Sequence, residues 1–256
     1  MSSGLTYLIT GANRGIGLAF VSLLARRPAT TVVAAVRDPS SPSSRALADL
    51  PRGEGSRVIL VKIDASVESD PAAAVAALRD EHGVAALDVV IANAGISNAP
   101  GRVADVAVGD ALEHFAVNSV APLVLFRAAA PLLKAGAAAG GSPVFVGMAS
   151  LMGSIGAAEQ VARLPVSVSP YGASKAALSW FVRRLSIEEP WLTAFVFHPG
   201  LVETDMAGVI AAGNDVKAYG AITTKQSVEG MVATLDRATR EFSGTFKNYD
   251  GADLPW

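Results

Sequence analysis

Residues 5–19 read Leu5-Thr6-Tyr7-Leu8-Ile9-Thr10-Gly11-Ala12-Asn13-Arg14-Gly15-Ile16-Gly17-Leu18-Ala19, and this stretch decides the fold. A short apolar run comes first, three glycines follow, and apolar residues at helical spacing come next, namely Ile16, Phe20, Leu23 and Leu24. This order predicts a buried strand, a tight turn and the start of a helix. Backbone N–H groups and the helix dipole make such a helix start a site for a phosphate.

The glycines are spaced Gly-x-x-x-Gly-x-Gly, which differs from the Gly-x-Gly-x-x-Gly of the standard dinucleotide fingerprint. Glycine is required where a Cβ would block the approach of a phosphate or the backbone dihedrals of the turn. An ordinary strand-to-helix turn is the alternative interpretation of the same residues.

A second signal is the pair Tyr171 and Lys175, in the run Pro170-Tyr171-Gly172-Ala173-Ser174-Lys175. The i, i+4 spacing puts the phenol and the ammonium on one face of a helix. A nearby cation is expected to lower the Tyr171 pKa from its ordinary value of ~10. A general acid or base works best with a pKa near the operating pH, so the pair suggests proton transfer. By itself it also fits a plain surface pair.

Composition limits the function classes. The 256 residues suit one α/β domain spanning 1–256, with 51% hydrophobic residues and a mean hydropathy of +0.39, as parallel strands buried on both faces require. The net charge of −2 and the lack of a basic cluster indicate no nucleic-acid partner. Without cysteine there are no disulfides or thiolate ligands, and three scattered histidines do not predict a metal site.

The sequence also bears on location. Residues 1–4 run straight into the first apolar stretch, which does not fit a signal peptide. The longest uncharged stretch, 135–158, holds six glycines and Pro143, so it is interpreted as loop, strand and loop rather than a membrane helix. A cytoplasmic protein without a membrane partner is expected.

Strand and helix patterns alternate along the chain, which predicts a doubly wound parallel sheet of seven strands with helices on both faces. The predicted strands are Leu5–Thr10, Thr31–Val36, Arg57–Ile63, Leu87–Ala92, Pro143–Ala149, Leu192–Phe197 and Gly244–Asn248. The predicted helices are Ile16–Arg26, Ser43–Leu50, Pro71–Glu81, Asp110–Asn118, Ala121–Ala135, Tyr171–Glu188 and Ser227–Arg240. Ligands of such sheets bind at the carboxyl ends of the strands.

Ordered motifs give the chain a family resemblance over nearly its whole length. They are Thr10-Gly11-x-x-x-Gly15-x-Gly17, Asn93-Ala94-Gly95, Asn118, Ser150, Tyr171-x-x-x-Lys175 and Pro199-Gly200. In order and spacing the set resembles the short-chain dehydrogenase/reductase family, and within it the carbonyl-reductase-type members related to fungal polyketide ketoreductases. The resemblance implies a Rossmann fold and hydride transfer between a nicotinamide cofactor and a carbonyl or alcohol.

The resemblance also assigns a cofactor site. The residues that match it are Gly11, Asn13, Arg14, Gly15, Ile16, Gly17, Arg37, Asp64, Ala65, Asn93, Ala94, Gly95, Tyr171, Lys175, Pro199, Gly200, Val202 and Thr204. Val36 stands where an acid would bind the ribose of NAD, and Arg37 and Arg14 suit the 2′-phosphate of NADP, which predicts NADPH. A one-residue shift would instead bring Asp38 to the ribose. Asp64 also fits a helix N-cap.

Four residues match the family's catalytic set. The resemblance implies that Tyr171 donates the proton, Lys175 lowers the Tyr171 pKa, Ser150 bonds the substrate oxygen and Asn118 holds a relay water. Ser154 is a competitor for the serine role, and Asn118 also fits a helix end. His198 beside Pro199 is interpreted as structural.

Two segments are expected to shape the substrate site. The interval from Ser150 to Tyr171 is longer than the family's commoner pattern, so 157–166 is interpreted as an insertion that affects substrate choice or subunit packing. Residues 205–225 are expected to form an apolar lid. Further wall residues are expected to be Met148, Leu151, Met152 and Trp191.

The sequence thus predicts an NADPH-dependent reductase that acts on a hydrophobic small-molecule ketone or aldehyde. The alternatives are an alcohol dehydrogenase working oxidatively with NAD(P) and a dinucleotide-sensing protein without turnover. Arg14 and Arg37 favour reduction because cells generally keep NADPH reduced. The resemblance leaves a homodimer or a homotetramer as the expected assembly.

Overall fold

The computed structural model describes residues 4–162, 167–210 and 215–256. Within these ranges seven strands form one parallel sheet in the order β3-β2-β1-β4-β5-β6-β7. The strands are β1 Thr6–Thr10, β2 Thr31–Val36, β3 Arg57–Lys62, β4 Val89–Ala92, β5 Val144–Met148, β6 Thr193–His198 and β7 Phe246–Asn248.

Helices connect successive strands. They are α1 Gly15–Leu24, α2 Pro42–Arg45, α3 Asp70–Asp80, α4 Val108–Phe115, α5 Ala121–Ala138, α6 Ala158–Val161, α7 Ser169–Glu188, α8 Asp205–Ile210 and α9 Thr224–Leu235. A π-helical turn, Ala116–Val120, joins α4 to α5, and 3₁₀ turns follow α2 and β5.

Both faces of the sheet are buried. On β1, Tyr7 and Ile9 pack into a cluster with residues of α1 and α9, whereas Leu8 packs into a second cluster with residues of α3, α5 and α7. Because helices cover each face, the strands consist of nearly continuous apolar residues. The predicted doubly wound sheet is therefore confirmed.

The observed element boundaries differ little from the predicted ones. All seven predicted strands are present with ends within two residues of the prediction. The helix predicted at 227–240 begins earlier, at Thr224, because Thr223 and Gln226 form a capping box, and it ends at Leu235. The helix predicted at 43–50 divides into α2 and a 3₁₀ turn, and the short helices α6 and α8 were not predicted from the sequence.

The strand order creates a crevice at one edge of the sheet. The chain builds outward from β1 to β3 and then crosses to β4 on the other side of β1. Thr10 and Ala92 end these two neighbouring strands. This reversal point is where doubly wound sheets bind their ligands.

One helical run in the described residues, Val108–Ala138, is long and apolar enough to cross a membrane by length and composition alone. Core helices pass the same test, and this run packs against α3, α7 and the sheet. For the stretch 135–158, the predicted strand and the turns around it are confirmed, whereas 135–138 belong to the end of α5 rather than to a loop.

Candidate active site

The glycine turn between β1 and α1 is built for a close backbone approach. Gly11 has a φ of +66°, in the left-handed region that favours glycine. A Cβ at Gly17 would overlap the carbonyl oxygen of Gly11 and lie 2.8 Å from Asn93 Nδ2. Arg14, the N-cap of α1, makes no side-chain capping bond, so the first N–H groups of the helix face the crevice without a side-chain cap. This geometry fits a phosphate.

Asn93 ties the glycine turn to β4. Its Nδ2 donates to Thr10 O at 2.8 Å, and Thr10 Oγ1 accepts from the backbone N–H groups of Asn93 and Ala94, each at 3.0 Å. These bonds fix the spacing of the two strand ends that form the crevice. The sequence prediction placed Asn93 in the cofactor site but gave Thr10 no role there beyond its place in the motif.

The far end of the crevice opens into a cleft of about 510 Å³, whose lining includes Asp64, Ala65 and Ala94. Asp64 Oδ1 accepts from the backbone and hydroxyl of Ser66, and these bonds, with a smaller effect of the Arg37 charge, hold the Asp64 pKa below its ordinary value. Asp64 does not cap a helix, because the N-cap of α3 is Ser69. The alternative interpretation of Asp64 as an N-cap is therefore wrong.

The residues that follow β2 lie at the same end of the crevice as Asp64. Val36 ends the strand and pairs with Lys62, so the closing position carries no acid. Asp38 Oδ1 is occupied by the N–H and hydroxyl of Ser40, at 2.8 and 2.6 Å. Asn13 donates to the hydroxyls of Ser43 and Ser44, at 3.0 and 3.2 Å, which links the glycine turn to α2.

Helix α7 places Tyr171 and Lys175 one turn apart and buries both, at 6% and 4% exposure. Lys175 Nζ donates to Met148 O at 2.6 Å and lies 5.6 Å from the centroid of the Tyr171 ring. Ser150 lies two residues beyond the end of β5, accepts from Met152 N at 3.2 Å, and lines the same cleft as Tyr171. The three predicted catalytic side chains therefore meet.

Burial dominates the ionisation of this cluster. It raises the pKa of Tyr171 to about 12, against a smaller lowering by the nearby Ser150 hydroxyl, and it lowers the pKa of Lys175 to about 8. The expected lowering of the Tyr171 pKa by Lys175 is wrong for this structure, because Lys175 directs its ammonium at the Met148 carbonyl. Tyr171 thus keeps its proton at neutral pH.

Asn118 lies in the π-helical turn and is fully buried, so its interpretation as a helix end is wrong. Its side chain joins the loop after β4 to α7: Oδ1 accepts from Ile96 N at 2.8 Å, and Nδ2 donates to Ile96 O at 2.9 Å and to Ser174 Oγ at 3.0 Å. A Cβ at Gly95 would lie 2.9 Å from Asn118 Oδ1 and 3.4 Å from Lys175 Nζ. The relay-water role of Asn118 stays a prediction.

A second cleft, of about 280 Å³, opens above Ser150 and Tyr171. Its lining includes these predicted residues: Ile16, Leu151, Met152, Pro199, Gly200, Val202, Thr204, Met206 and Tyr219. Ala207, in the predicted lid 205–225, also lines the cleft, whereas the sequence prediction missed Leu201. The insertion reaches the cleft through Gln160 and Val161; its residues 163–166, and residues 211–214 of the lid, lie outside the described ranges.

Two predicted wall residues lie elsewhere. The Met148 side chain is buried in the sheet core, and only its carbonyl reaches the site, where it accepts from Lys175. Trp191 precedes β6 at the opposite end of the sheet, bonds Glu189 and lies under Lys134. Assigning both residues to the wall was wrong. Their apolar side chains suit a substrate wall, but the sequence pattern does not show which end of the sheet Trp191 lies at or which face of the sheet Met148 packs on.

His198 lines the cleft at the end of β6, and its Nδ1 accepts from Leu151 N at 3.3 Å. Burial lowers the pKa of His198 to about 4, so the imidazole is neutral at physiological pH. A neutral ring bonded to the loop after Ser150 fits the predicted structural role.

The parallel sheet, the glycine turn at its reversal point and the buried Tyr-Lys-Ser cluster define a nicotinamide-dinucleotide oxidoreductase of the doubly wound class. The sequence model of the family described as short chain dehydrogenase matches residues 6–215. The chain belongs to this family. Among the described residues, no group of three or more His, Asp or Glu side chains is placed so that it could hold a metal ion.

Comparison with known proteins shows which members of the family this chain is similar to. The chain is 42% identical over 253 residues to the norsolorinic acid ketoreductase of Dothistroma septosporum, covering 98% of this chain and 92% of the relative. It is 38% identical to the norsolorinic acid ketoreductase of Aspergillus parasiticus, covering 98% and 90%. The structure of the NADPH-bound carbonyl reductase from chicken fatty liver superposes with a TM-score of 0.87 at 30% identity over 99% of each chain. The chain is thus an oxidoreductase similar to ketoreductases and carbonyl reductases.

Proposed function

We propose that this protein is an NADPH-dependent reductase that converts a hydrophobic ketone or aldehyde to the alcohol. The observation that carries the proposal is that Tyr171 and Ser150 line the base of the same apolar cleft, beside the glycine turn. Two polar hydrogens there can converge on one carbonyl oxygen, while the walls exclude water.

The chain's own residues have distinct tasks in this reaction. When bound, NADPH supplies the hydride that reduces the carbonyl carbon. Tyr171 donates its proton to the carbonyl oxygen, and a pKa of about 12 keeps that proton available at neutral pH. Ser150 donates a hydrogen bond to the same oxygen as negative charge develops there. Lys175 donates to Met148 O and so fixes helix α7, which carries Tyr171, against the end of β5.

Selectivity for NADPH rests on charge at the end of β2. Val36 offers no carboxylate to the ribose, Asp38 is bonded to Ser40, and Arg37 and Arg14 supply positive charge near the glycine turn. Guanidinium groups bind phosphate in charge-assisted, often bidentate pairs. The NADPH-bound state of the chicken carbonyl reductase supports the same choice.

The substrate class follows from the cleft walls. Leu151, Met152, Val161 and Met206 make them mostly apolar, and no lysine or arginine lines the described part of the cleft. A substrate held by a phosphate or carboxylate group is therefore disfavoured. The ketoreductase names of two relatives support a ketone, and a polyketide-like aromatic ketone fits the apolar walls.

The test is NADPH oxidation, followed by absorbance, against a panel of aryl ketones, α-diketones and quinones. Tyr171→Phe should lower kcat at least ~100-fold, the scale of a lost general acid, without loss of NADPH binding. Tyr7→Phe is the matched control, because Tyr7 is a buried phenol beside Arg27 and away from the cleft. Equal turnover in Tyr171→Phe would refute the mechanism. Tight NADPH binding without turnover of any carbonyl would favour the sensing alternative.

The cofactor part of the proposal has its own test. Arg37→Ala should weaken NADPH binding by ~10- to 100-fold, the scale of a charge-assisted hydrogen bond, and leave NADH binding unchanged. Arg79→Ala, a change at an exposed arginine on α3, should alter neither affinity. Titration of cofactor fluorescence measures both, and equal affinities of the unmodified protein for NADPH and NADH would refute the selectivity.

A further inference from the structure

Ser154 is a buried serine that the proposed reaction does not use. It follows the 3₁₀ turn Leu151–Gly153, immediately beyond Ser150, and is 4% exposed. Its Oγ donates to Pro255 O at 2.7 Å and accepts from Ala157 N at 3.0 Å. One hydroxyl therefore joins the loop after β5 to residues about a hundred positions further along the chain.

A second bond reinforces this junction. Gly156 N donates to Trp256 O at 2.6 Å. A Cβ added at Gly156 would lie 3.1 Å from both Pro255 Cβ and Trp256 O, which is tighter than ordinary side-chain packing. Residues 253–256, here called the closing segment, are thus seated directly against the loop.

The closing segment is itself anchored on β7. Leu254 N donates to Phe246 O at 2.8 Å, and Asp253 pairs at 2.7 Å with Lys247, which is only 8% exposed. The Trp256 ring lies 5.7 Å from that of the buried Phe246. Backbone, ionic and aromatic contacts together tie the closing segment to the edge strand of the sheet.

The loop that Ser154 and Gly156 join to the closing segment is connected at both of its ends to residues that line the cleft. Ser150 begins it, and α6, which carries Gln160 and Val161 into the cleft wall, follows it after Ala157. The residues of the closing segment do not line the cleft among the described residues. Their contact with the site is therefore indirect and runs through Ser154 and Gly156.

We propose that the closing segment is a positioning element for the active site, which holds Ser150 and the α6 part of the substrate wall in working geometry. The proposal rests on the proposed function, because it assigns the clamped loop a part in carbonyl binding. Displacements of about 1 Å at a reacting group can cost ~100-fold in rate, so a clamp of this kind would affect turnover and substrate selection. Asp253–Trp256 would act through Ser154 and Gly156 and would not touch the substrate.

Hydrogen exchange measured by mass spectrometry tests the clamp directly. Trp256→Ala and Ser154→Ala should raise exchange in residues 150–162 about tenfold or more, since local opening sets exchange, and leave residues 5–19 unchanged. Ser154→Thr keeps the hydroxyl and should restore protection. Ser69→Ala is the matched control, because Ser69 is exposed and its side chain makes no capping hydrogen bond to α3. Unchanged exchange in both variants would overturn the proposal.

Kinetics then separates positioning from simple stabilisation. In Trp256→Ala, kcat/KM for a bulky aryl ketone should fall about tenfold more than for a small α-diketone, with NADPH affinity kept within about twofold, because the clamp reaches only the substrate side. Equal losses for both substrates, or losses that follow the melting temperature, would reduce the closing segment to a structural role. Should no carbonyl be reduced at all, the proposed function would fail while the exchange result still decides whether the clamp exists.

Discussion

Lys175 is a charged group at a buried position, and at neutral pH its burial lowers the stability of the folded state. Its ordinary pKa of 10.5 falls to about 8 because burial disfavours the ammonium. Below about pH 8 both the folded and the unfolded chain carry the proton, and the folded state pays the full penalty. Between about pH 8 and 10.5 the unfolded chain binds more protons, so stability rises with pH across that window.

We predict that Lys175→Met removes this rise and leaves a protein at least as stable as the unmodified one at about pH 7. A shift of this size corresponds to roughly 3 kcal/mol, reduced by the hydrogen bond to Met148 O that the variant loses. Urea unfolding at several pH values between about 7 and 10 measures it. Lys225→Met, at a side chain that is 80% exposed, should keep the normal pH dependence. The same dependence in both variants would contradict the assignment.

Residue identities in the site were predictable, whereas their ionisation was not. The i, i+4 spacing placed Tyr171 and Lys175 on one helix face, and the motif order brought Ser150 to them. The sign of the Tyr171 pKa shift depends on burial, which spacing along a helix does not encode. The role of Ser154 was not predictable either. As a serine close to Ser150 it was a candidate for the catalytic role, but in the structure its hydroxyl donates to Pro255 O.

At the scale of elements, the glycine turn is the least tolerant junction. Gly17→Ala should lower the free energy of unfolding by ~1–3 kcal/mol and weaken NADPH binding, because the added Cβ overlaps Gly11 O and crowds Asn93 Nδ2. Gly109→Ala is the matched control: nothing lies within 4 Å of its added Cβ on α4, and alanine is the better helix former.

Denaturant unfolding and a fluorescence titration with NADPH would measure both variants. Gly109→Ala should be unchanged or up to ~1 kcal/mol more stable, with normal affinity. If Gly17→Ala behaved like Gly109→Ala, the close packing of the turn against β4 would not be required for the cofactor site.

Long elements were predictable because their patterns are repeated, and short ones were not. The seven apolar runs gave the strands to within two residues since both faces of the sheet are buried. Helices α6 and α8 are 4 and 6 residues long and lie in the insertion and the lid. A helix of only one or two turns is too short for its apolar residues to show a helical period, so tertiary contacts at the cleft determine whether it forms.

At the scale of the whole molecule, exposed apolar side chains occur on two helices that pack together. Val108 and Leu112 on α4 are 75% and 65% exposed, and Trp180 and Ile187 on α7 are 64% and 57% exposed. Large exposed apolar side chains on neighbouring elements are candidates for a subunit interface, and these two helices are in contact. The described part of the insertion lies at the cleft through Gln160 and Val161, which favours its role in substrate choice over a role in assembly.

We therefore predict that the chain self-associates through α4 and α7, as the expected homodimer or homotetramer requires. Trp180→Glu and Leu112→Glu should shift the protein toward the monomer, because each would place an unpaired carboxylate in an apolar contact. Sedimentation velocity across a wide concentration range measures the shift, and retained NADPH binding would show that each variant is folded. Leu5→Glu, at a 43% exposed leucine before β1, should leave the assembly unchanged. A monomer at every concentration of the unmodified protein, or an assembly that Trp180→Glu leaves intact, would exclude this interface.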